Sequence, residues 1–244
     1  IIMIAIGIVG FFGFVRWEKR TENPVFDVVL FVKNRVFAFS SIAIYISYIS
    51  VSAISLLLSL YLQYIKGFEP KVAGMILLSQ PITQAIFAPI AGKLSDRINP
   101  GTIASVGMAI TALCLFFQTQ LTAQTSPVFI ICTLMFLGLG YALFSSPNAN
   151  AIMSSVNSQH YGIASGMLST MRSMGMVTSL ALVTVLFAVL IGRVEITPDH
   201  YPTLLKSIKI AFGIFSAICT LGIYFSLVRG KNGGQNNAGL NKKN

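Results

Sequence analysis

The sequence predicts an all-α membrane protein whose main body is a bundle of six transmembrane helices. Of its 244 residues, 55% are hydrophobic and only 10% are charged, whereas about 25% of the residues of an ordinary soluble domain are charged. Apolar runs of about 20 residues recur between short polar breaks, and a helix of that length crosses a hydrocarbon core about 30 Å thick. A soluble helical protein is the rival interpretation, but soluble helices keep a charged face that these runs lack.

Six apolar runs define the predicted spans, which are numbered 1 to 6 in chain order. Four of them have a proline at or near the first helical turn, where its missing N–H costs nothing: Pro70, Pro100, Pro127 and Pro202. Three other prolines, Pro81, Pro89 and Pro147, fall inside or late in a run and predict bent helices around a cavity. The predicted spans cover residues 36–64, 72–92, 101–122, 127–150, 161–191 and 205–228.

The segments that flank the bundle, which occupies 36–228, differ from it in character. Residues 1–15 are apolar throughout but would extend only about 22 Å as a helix, so we expect a truncated transmembrane helix in a chain that begins inside a larger protein. Residues 16–35 mix apolar and charged side chains and predict a cytoplasmic linker lying in the membrane interface. Residues 229–244 are rich in Gly, Asn and Lys and predict a disordered cytoplasmic tail.

The positive charge of the chain is concentrated at the ends of the predicted helices. The formal net charge is +10, and its cations cluster in the 16–35 linker, in the loop after span 2 and in the tail. These three regions lie on the same side of a bilayer, and the positive-inside rule makes that side cytoplasmic. The sequence therefore predicts a multi-pass protein of the cell membrane with a cytoplasmic C-terminus, and the distribution of charge argues against a nucleic-acid partner.

Sequence motifs typical of catalysis are missing. The chain contains no H-E-x-x-H helix, no G-x-S-x-G elbow and no P-loop. Cys114, Cys132 and Cys219 are scattered along apolar runs without metal-ligand spacing. We therefore expect the protein not to be an enzyme and to need no cofactor or metal.

Three of the spans carry polar side chains that either line a cavity or join helices. Gln80 and Gln84 lie one turn apart on span 2, and span 4 contains GLGYALFSSPNANA, whose glycines allow close approach and whose aromatic and amide side chains offer an amphipathic wall. Span 1 has a polar stripe at steps of four and three, which keep one face of a helix aligned. Small residues in such a stripe allow close helix packing, whereas its two tyrosines favour a cavity. The stripe comprises Ser41, Tyr45, Tyr48, Ser52, Ser55 and Ser59.

Arg172 is the ionisable residue that we place well inside a span. Inserting an arginine there costs about 2.5–3.5 kcal/mol, so the side chain needs a partner or an escape route. Three explanations stay open: it snorkels to the cytoplasmic face, it pairs with a carboxylate of a missing segment, or it contacts an anionic substrate or a proton relay. The small residues around it are expected to pack on another helix: Gly162, Gly166, Ser169 and Ser173.

The loop between spans 2 and 3, GKLSDRINP, resembles the G-x-L-x-D-R loop signature of the major facilitator superfamily. Gly92, Leu94, Asp96 and Arg97 match that signature, while Asn99 replaces its later glycine. Three further stretches look like the C-terminal half of the fourteen-helix drug/proton antiporters of the QacA/EmrB type: WEKRTENPVFDVVLFVKNRVF, LGLGYALFSSPNANAIM and YGIASGMLSTMRSMG.

The resemblance implies roles for particular residues. Asp96 would pair with the positive end of a helix in the other half of the transporter, with Arg97 assisting, so that the loop latches one conformation. An ordinary tight turn with solvated charges is the alternative. Spans 1 and 4 would line the substrate cavity, and Arg172 would match the arginine of the fifth-helix motif. The candidate cavity residues are then Tyr45, Tyr48, Gln80, Gln84, Tyr141, Phe144 and Asn148.

The function that follows from the resemblance is half of a proton-coupled exporter of amphipathic or cationic organic compounds, working by alternating access. Its partners would be the substrate, protons, the lipid bilayer and the missing N-terminal half, which must supply the acid for proton exchange because these spans contain no carboxylate in their middles. Alone, the chain should not transport. Two alternatives stay open: a transporter of a metabolite, lipid or siderophore, and a non-transporting membrane protein that reuses the fold.

Overall fold

The computed structural model describes residues 34–192 and 197–240 together with Gly13 and Arg16, and it describes side-chain surroundings as far as Leu227. The regular structure of these residues is all helix, with no strand. Six helical segments in them are long and apolar enough to cross a membrane, which confirms the predicted fold class. They are Arg35–Ile65, Pro70–Ser95, Pro100–Gln118, Pro127–Ser154, Ser158–Leu190 and Pro198–Leu227, and these bounds now define spans 1 to 6.

Four of the spans contain a single α-helix and two are built from shorter helical pieces. Span 1 consists of Arg35–Val51, Ile54–Leu60 and a π-helical turn at Tyr61–Ile65. Span 2 consists of Pro70–Leu77 and Ser79–Ser95. The remaining helices are Pro100–Gln118, Pro127–Ser154, Tyr161–Leu190 and Tyr201–Leu240, the last two preceded by 3₁₀ turns at Ser158–His160 and Pro198–His200.

The helix starts agree with the proline signals in the sequence. Pro70, Pro100 and Pro127 are each the first residue of a helix, where the absent N–H leaves no intrahelical acceptor unsatisfied. Side chains cap three of the starts: the oxygens of Asn34, Asn99 and Ser126 accept hydrogen bonds from the backbone N–H groups of Phe37, Gly101 and Val128. Such caps satisfy donors that the first helical turn leaves without partners.

Span 2 is interrupted close to a proline. The two helices of this span meet at Leu78, and Pro81 lies three residues further on. Proline has no N–H to bond the carbonyl four residues earlier, which here belongs to Leu77, and its ring clashes with that carbonyl. Pro81 therefore accounts for the interruption at Leu78, whereas Pro89 and Pro147 lie within continuous helices.

The spans pack in the order 2, 4, 3, 6, 1, 5, with spans 1 and 4 also touching across the middle. Spans 3 and 4 make the most extensive contact. Their backbones approach closely at two glycines, since a Cβ atom built on Gly107 would lie 2.5 Å from the carbonyl oxygen of Gly140 and 2.6 Å from the nitrogen of Phe144. Spans 2 and 5 stand at the two ends of this order, and both leave most of their surface exposed.

The flanking segments give one difference from the prediction. The last helix continues to Leu240, so the backbone is helical over 229–240 where composition predicts disorder. An established helix adds residues at low cost because each new residue gains a hydrogen bond, which accounts for helical backbone in so poor a helix-forming sequence. Residues 241–244, the predicted truncated helix over 1–15 apart from Gly13, and the linker apart from Arg16, Asn34 and Arg35 lie outside the described residues.

Candidate functional site

Spans 1, 4 and 5 bring three tyrosines and the intramembrane arginine together. The rings of Tyr48 and Tyr141 meet edge to face, with centroids 5.8 Å apart and planes at 74°. The guanidinium carbon of Arg172 lies 5.8 Å from the centroid of the Tyr48 ring, within the range of a cation–π interaction. Tyr45 lies one turn before Tyr48 on the same helix. We call these four residues, Tyr45, Tyr48, Tyr141 and Arg172, the Tyr–Arg cluster.

The cluster is held by close packing of span 5 on span 1. A Cβ atom on Gly175 would lie 2.6 Å from the Tyr48 Cβ and 2.8 Å from the Tyr45 carbonyl oxygen, so only glycine admits this approach. The hydroxyls of Tyr45 and Thr178 share a hydrogen bond of 3.1 Å. Tyr45, Tyr48 and Arg172 are each only half-buried, so these three reach the surface of the bundle, whereas Tyr141 is buried beneath them.

The same contact explains the break in span 1, which contains no proline. At this break the Ala53 N–H donates to the Ser179 hydroxyl of span 5, 3.2 Å away and fully buried, instead of to a carbonyl of its own helix. The Ser52 hydroxyl donates back to the Tyr48 carbonyl at 2.6 Å, a bond that bends helices. Because of this break the predicted polar stripe is not one face: Ser41 is fully buried and Ser55 is exposed.

We expect Ser179→Ala to destabilise the protein by about 1–2 kcal/mol, because it leaves a buried backbone N–H without its acceptor. Thermal unfolding of the purified protein measures this loss. The matched control is Ser173→Ala, which removes an exposed hydroxyl from the same helix and should leave the melting temperature unchanged. Equal melting temperatures for the two variants would contradict the expectation and would mean that Ala53 regains an intrahelical partner at no cost.

Two other predicted cavity residues lie inside the bundle instead of at its surface. Phe144 is 1% exposed and Asn148 is 0% exposed. The side-chain amide of Asn148 donates to the backbone carbonyl of Ser40 at 3.0 Å, which ties span 4 to span 1. The physical reason is that a carboxamide in an apolar bundle must find a partner, and here a protein carbonyl supplies it.

Gln80 and Gln84 are half-buried on span 2, which packs chiefly against span 4. The backbone carbonyl of Gln80 abuts Gly138 of span 4, and a Cβ on that glycine would also lie 3.1 Å from the Cβ of Thr83. The structure therefore brings Tyr45, Tyr48, Tyr141 and Arg172 together and leaves the two glutamines on a neighbouring helix pair. Their roles as cavity residues stay predictions.

The small-residue face predicted on span 5 does not pack within the described bundle. A Cβ atom on Gly162 or Gly166 would meet nothing within 4 Å, and Ser169 and Ser173 are exposed. The buried face of this helix contains Ala164, Met167, Leu168, Gly175, Ser179 and Val183 instead. Small-residue spacing identifies a helix face that permits close approach. Span 5 has two such faces, and the spacing does not show which of them packs on another helix.

The loop between spans 2 and 3 is a tight turn whose charged side chains remain outside. The Leu94 carbonyl accepts hydrogen bonds from the N–H groups of Arg97 and Ile98, at 3.1 and 3.0 Å. The Ser95 hydroxyl donates to the Gly92 carbonyl and accepts from the Asn150 amide of span 4. Leu94, Asp96 and Arg97 are exposed. The backbone is thus fixed by its own bonds, and the Asp96 carboxylate is free to meet a group outside the bundle.

The packing at Gly92 fits the loop signature. A Cβ atom there would lie 3.1 Å from the Ser146 hydroxyl oxygen of span 4, a contact tight enough to require movement of that side chain. Gly92 therefore lets the end of span 2 approach span 4. Asp96 and Arg97 project from a turn that is anchored on span 4 at both Gly92 and Ser95.

Comparison with known proteins identifies relatives of this bundle. The family model described as Major Facilitator Superfamily matches residues 40–243. The chain is 28% identical to the riboflavin transporter RibZ of Clostridioides difficile (strain 630) over 86% of this chain and 46% of that protein. It is 30% identical to the uncharacterized transporter YebQ of Escherichia coli (strain K12) over 76% of this chain and 40% of that protein.

A third relative is the multidrug resistance protein Stp of Mycobacterium tuberculosis (strain ATCC 25618 / H37Rv). It is 29% identical over 72% of this chain and 32% of its own length. The chain therefore spans less than half the length of the curated relatives that it matches.

Proposed function

The chain belongs to the major facilitator superfamily, and from that premise we propose that it is the C-terminal half of a proton-coupled exporter of amphipathic or cationic organic compounds. The observation that carries the proposal is the combination of a complete six-span bundle with a match to less than half of each transporter, Stp included. A two-bundle transporter works by rocking its halves around a site near the middle of the membrane. The Tyr–Arg cluster lies on the helices that would face such a site.

The roles proposed for the two halves of the transporter follow from the positions of the carboxylates. Within the described spans, the carboxylates of Glu69, Asp96 and Asp199 lie at helix ends or in turns and not in the middle of a span. A proton carried across the membrane needs a titratable group at the midplane. The N-terminal half would supply that acid, and this half would supply the latch loop and one wall of the cavity.

We expect the complete transporter, in everted membrane vesicles, to move several chemically unrelated fluorescent dyes, and we expect nigericin to stop that movement by abolishing the pH difference. Valinomycin in the presence of K⁺ removes only the membrane potential. It therefore tests whether the membrane potential drives dye transport. Dye movement that survives loss of the pH difference would contradict proton coupling. The chain on its own, reconstituted in liposomes, should move no dye against a gradient.

The similarity to RibZ favours a second candidate, a transporter of a metabolite. The same vesicles distinguish the two. If only riboflavin or a compound built on a similar planar ring system competes for transport, and unrelated dyes are not moved, the metabolite transporter replaces the multidrug exporter.

A further inference from the structure

Arg172 has one donor that the described residues do not satisfy. Its Nε is buried, and no hydrogen-bond partner lies within reach of it. The guanidinium carbon lies 5.8 Å from the centroid of the Tyr48 ring, which attracts the charge but offers no acceptor to an N–H group in the guanidinium plane. A buried N–H group without an acceptor is costly, so the arrangement favours an acceptor that is not part of the described bundle.

The position of the guanidinium argues against snorkelling. Tyr48 lies about 20 Å along its helix from Arg35, Tyr141 about 20 Å from Ser154, and Arg172 about 17 Å from Tyr161, at 1.5 Å per residue. The alternating direction of the spans puts those three helix ends on the same side of the membrane. The three side chains therefore share one depth, near the middle of a hydrocarbon core about 30 Å thick. The contact with the Tyr48 ring keeps the Arg172 guanidinium at that depth instead of at the membrane surface.

The charge and shape of the cluster define what it would accept. Tyr48 and Tyr141 meet edge to face with their planes at 74°, so they form an angled aromatic surface beside the cation, in which Tyr48 is half-buried and Tyr141 is buried. No described carboxylate lies in the middle of a span to offset the charge of Arg172. An unpaired positive charge in a medium of low dielectric repels cations and attracts anions over several ångströms. A guanidinium also presents parallel N–H groups that match a carboxylate or a similar planar acid.

We propose that the Tyr–Arg cluster is the part of the substrate site that binds the acidic end of a planar aromatic compound, with Arg172 donating to its anionic group, Tyr48 packing on its ring and the buried Tyr141 supporting the Tyr48 ring. This inference rests on the proposed export function and assigns to this site those amphipathic substrates that are aromatic and carry an acidic group. Cations would have to be bound by the other half of the transporter. The rival is a carboxylate of that other half paired permanently with Arg172.

Two dyes with the same xanthene ring system and opposite charge test the proposal. Fluorescein is an anion at pH 7.4 and rhodamine 123 is a cation. Fluorescence polarisation of each dye, titrated with the complete transporter in nanodiscs without any gradient, gives two dissociation constants. We expect fluorescein to bind more tightly, and Arg172→Gln to weaken fluorescein about 10- to 100-fold, the loss expected for a charge-assisted hydrogen bond, without weakening rhodamine 123.

Arg172→Lys keeps the charge but not the two parallel donors, so fluorescein should bind with an affinity between those of the wild type and Arg172→Gln. The matched control is Lys71→Gln, which removes one exposed positive charge in the first turn of span 2 and should change neither constant. Equal weakening of both dyes by Arg172→Gln, or no change in either, would overturn the proposal in favour of a permanent internal partner. If the wild-type protein binds rhodamine 123 more tightly than fluorescein, that result alone would overturn the proposal.

The outcome of this experiment is independent of proton coupling because no gradient is present. Charge-selective binding through Arg172, combined with transport that ignores the pH difference, would support this site and contradict the coupling mechanism. The opposite combination, proton-driven efflux with no charge preference at Arg172, would support the proposed function and remove this site from it.

Discussion

Gly107→Ala is expected to destabilise the six-helix bundle by about 3 kcal/mol, the upper part of the range for overpacking. The added methyl group would lie 2.5 Å from the Gly140 carbonyl oxygen, 2.6 Å from the Phe144 nitrogen and 2.9 Å from the Leu143 carbonyl carbon. All three are backbone atoms, so no side-chain rotation makes room. Spans 3 and 4, whose contact is the most extensive in the bundle, would have to separate.

The measurement is the thermal unfolding of the purified transporter, followed by the fraction that elutes as a single species in gel filtration. The control is Gly74→Ala on span 2, where a Cβ atom would meet nothing within 4 Å. Alanine favours helix over glycine by roughly 1 kcal/mol, so this control should melt at the same temperature as the wild type or slightly higher. If Gly107→Ala and Gly74→Ala have the same melting temperature, the backbones of spans 3 and 4 do not approach each other closely at Gly107 and Gly140.

Asp96→Asn is expected to lower transport by the complete protein at least tenfold without changing its stability, if the loop latches one conformation as proposed. The carboxylate is exposed at the end of span 2, and asparagine keeps its size and its ability to accept a hydrogen bond. Asparagine lacks the negative charge that would meet the positive end of a helix in the other half. The initial rate of proton-driven dye efflux and the melting temperature, measured on the same preparation, separate the two effects.

Asp199→Asn is the matched control for the latch. Asp199 is also exposed, and it lies in the 3₁₀ turn at the start of span 6, on the opposite side of the membrane from Asp96. The Asp199→Asn variant loses one negative charge, as Asp96→Asn does, and should transport at the wild-type rate. Wild-type efflux by Asp96→Asn would leave GKLSDRINP as an ordinary tight turn. A fall in transport accompanied by a fall in melting temperature would assign the loop a role in folding.

Features encoded within a few residues of sequence were predictable. Apolar length gave the number of spans, and Pro70, Pro100 and Pro127 begin helices as their local chemistry requires. The interruption of span 2 at Leu78 likewise agrees with the local effect of Pro81. These signals act within one helical turn, so a single sequence contains all of the information that they need.

Features that depend on a distant partner were not predictable in the same way. The break in span 1 depends on Ser179, which is separated from Ala53 by more than a hundred residues and looks like any other serine of an apolar helix. The Ser40 carbonyl of span 1 is a partner of Asn148 that the sequence does not indicate, and the role of Asn148 in a cavity stays a prediction. The polarity of a side chain in lipid shows that it needs a partner but does not show whether that partner is a helix, water or a ligand.

The surroundings of Arg172 could be predicted only in part from the sequence. Its placement well inside a span follows from the position of Arg172 in an apolar run and stays a prediction, and three explanations follow from that position alone. The contact with Tyr48 and the buried Nε without a partner came only from the packing of span 5 on span 1. The signal that would have suggested this packing is Gly175, three residues further along the same helix, which admits the two tyrosines.

The packing order of the spans has a consequence for biosynthesis. Spans 3 and 4 are consecutive and meet as a hairpin, whereas span 1 packs mainly on spans 5 and 6, which are synthesised later. At about 5–20 residues per second, those neighbours follow span 1 after an interval on the order of ten seconds. During that interval the face of span 1 that contacts spans 5 and 6 in the finished bundle has lipid, span 4 or an insertion chaperone around it. A chain released before span 5 is made would therefore leave that face of span 1 without its helix neighbours.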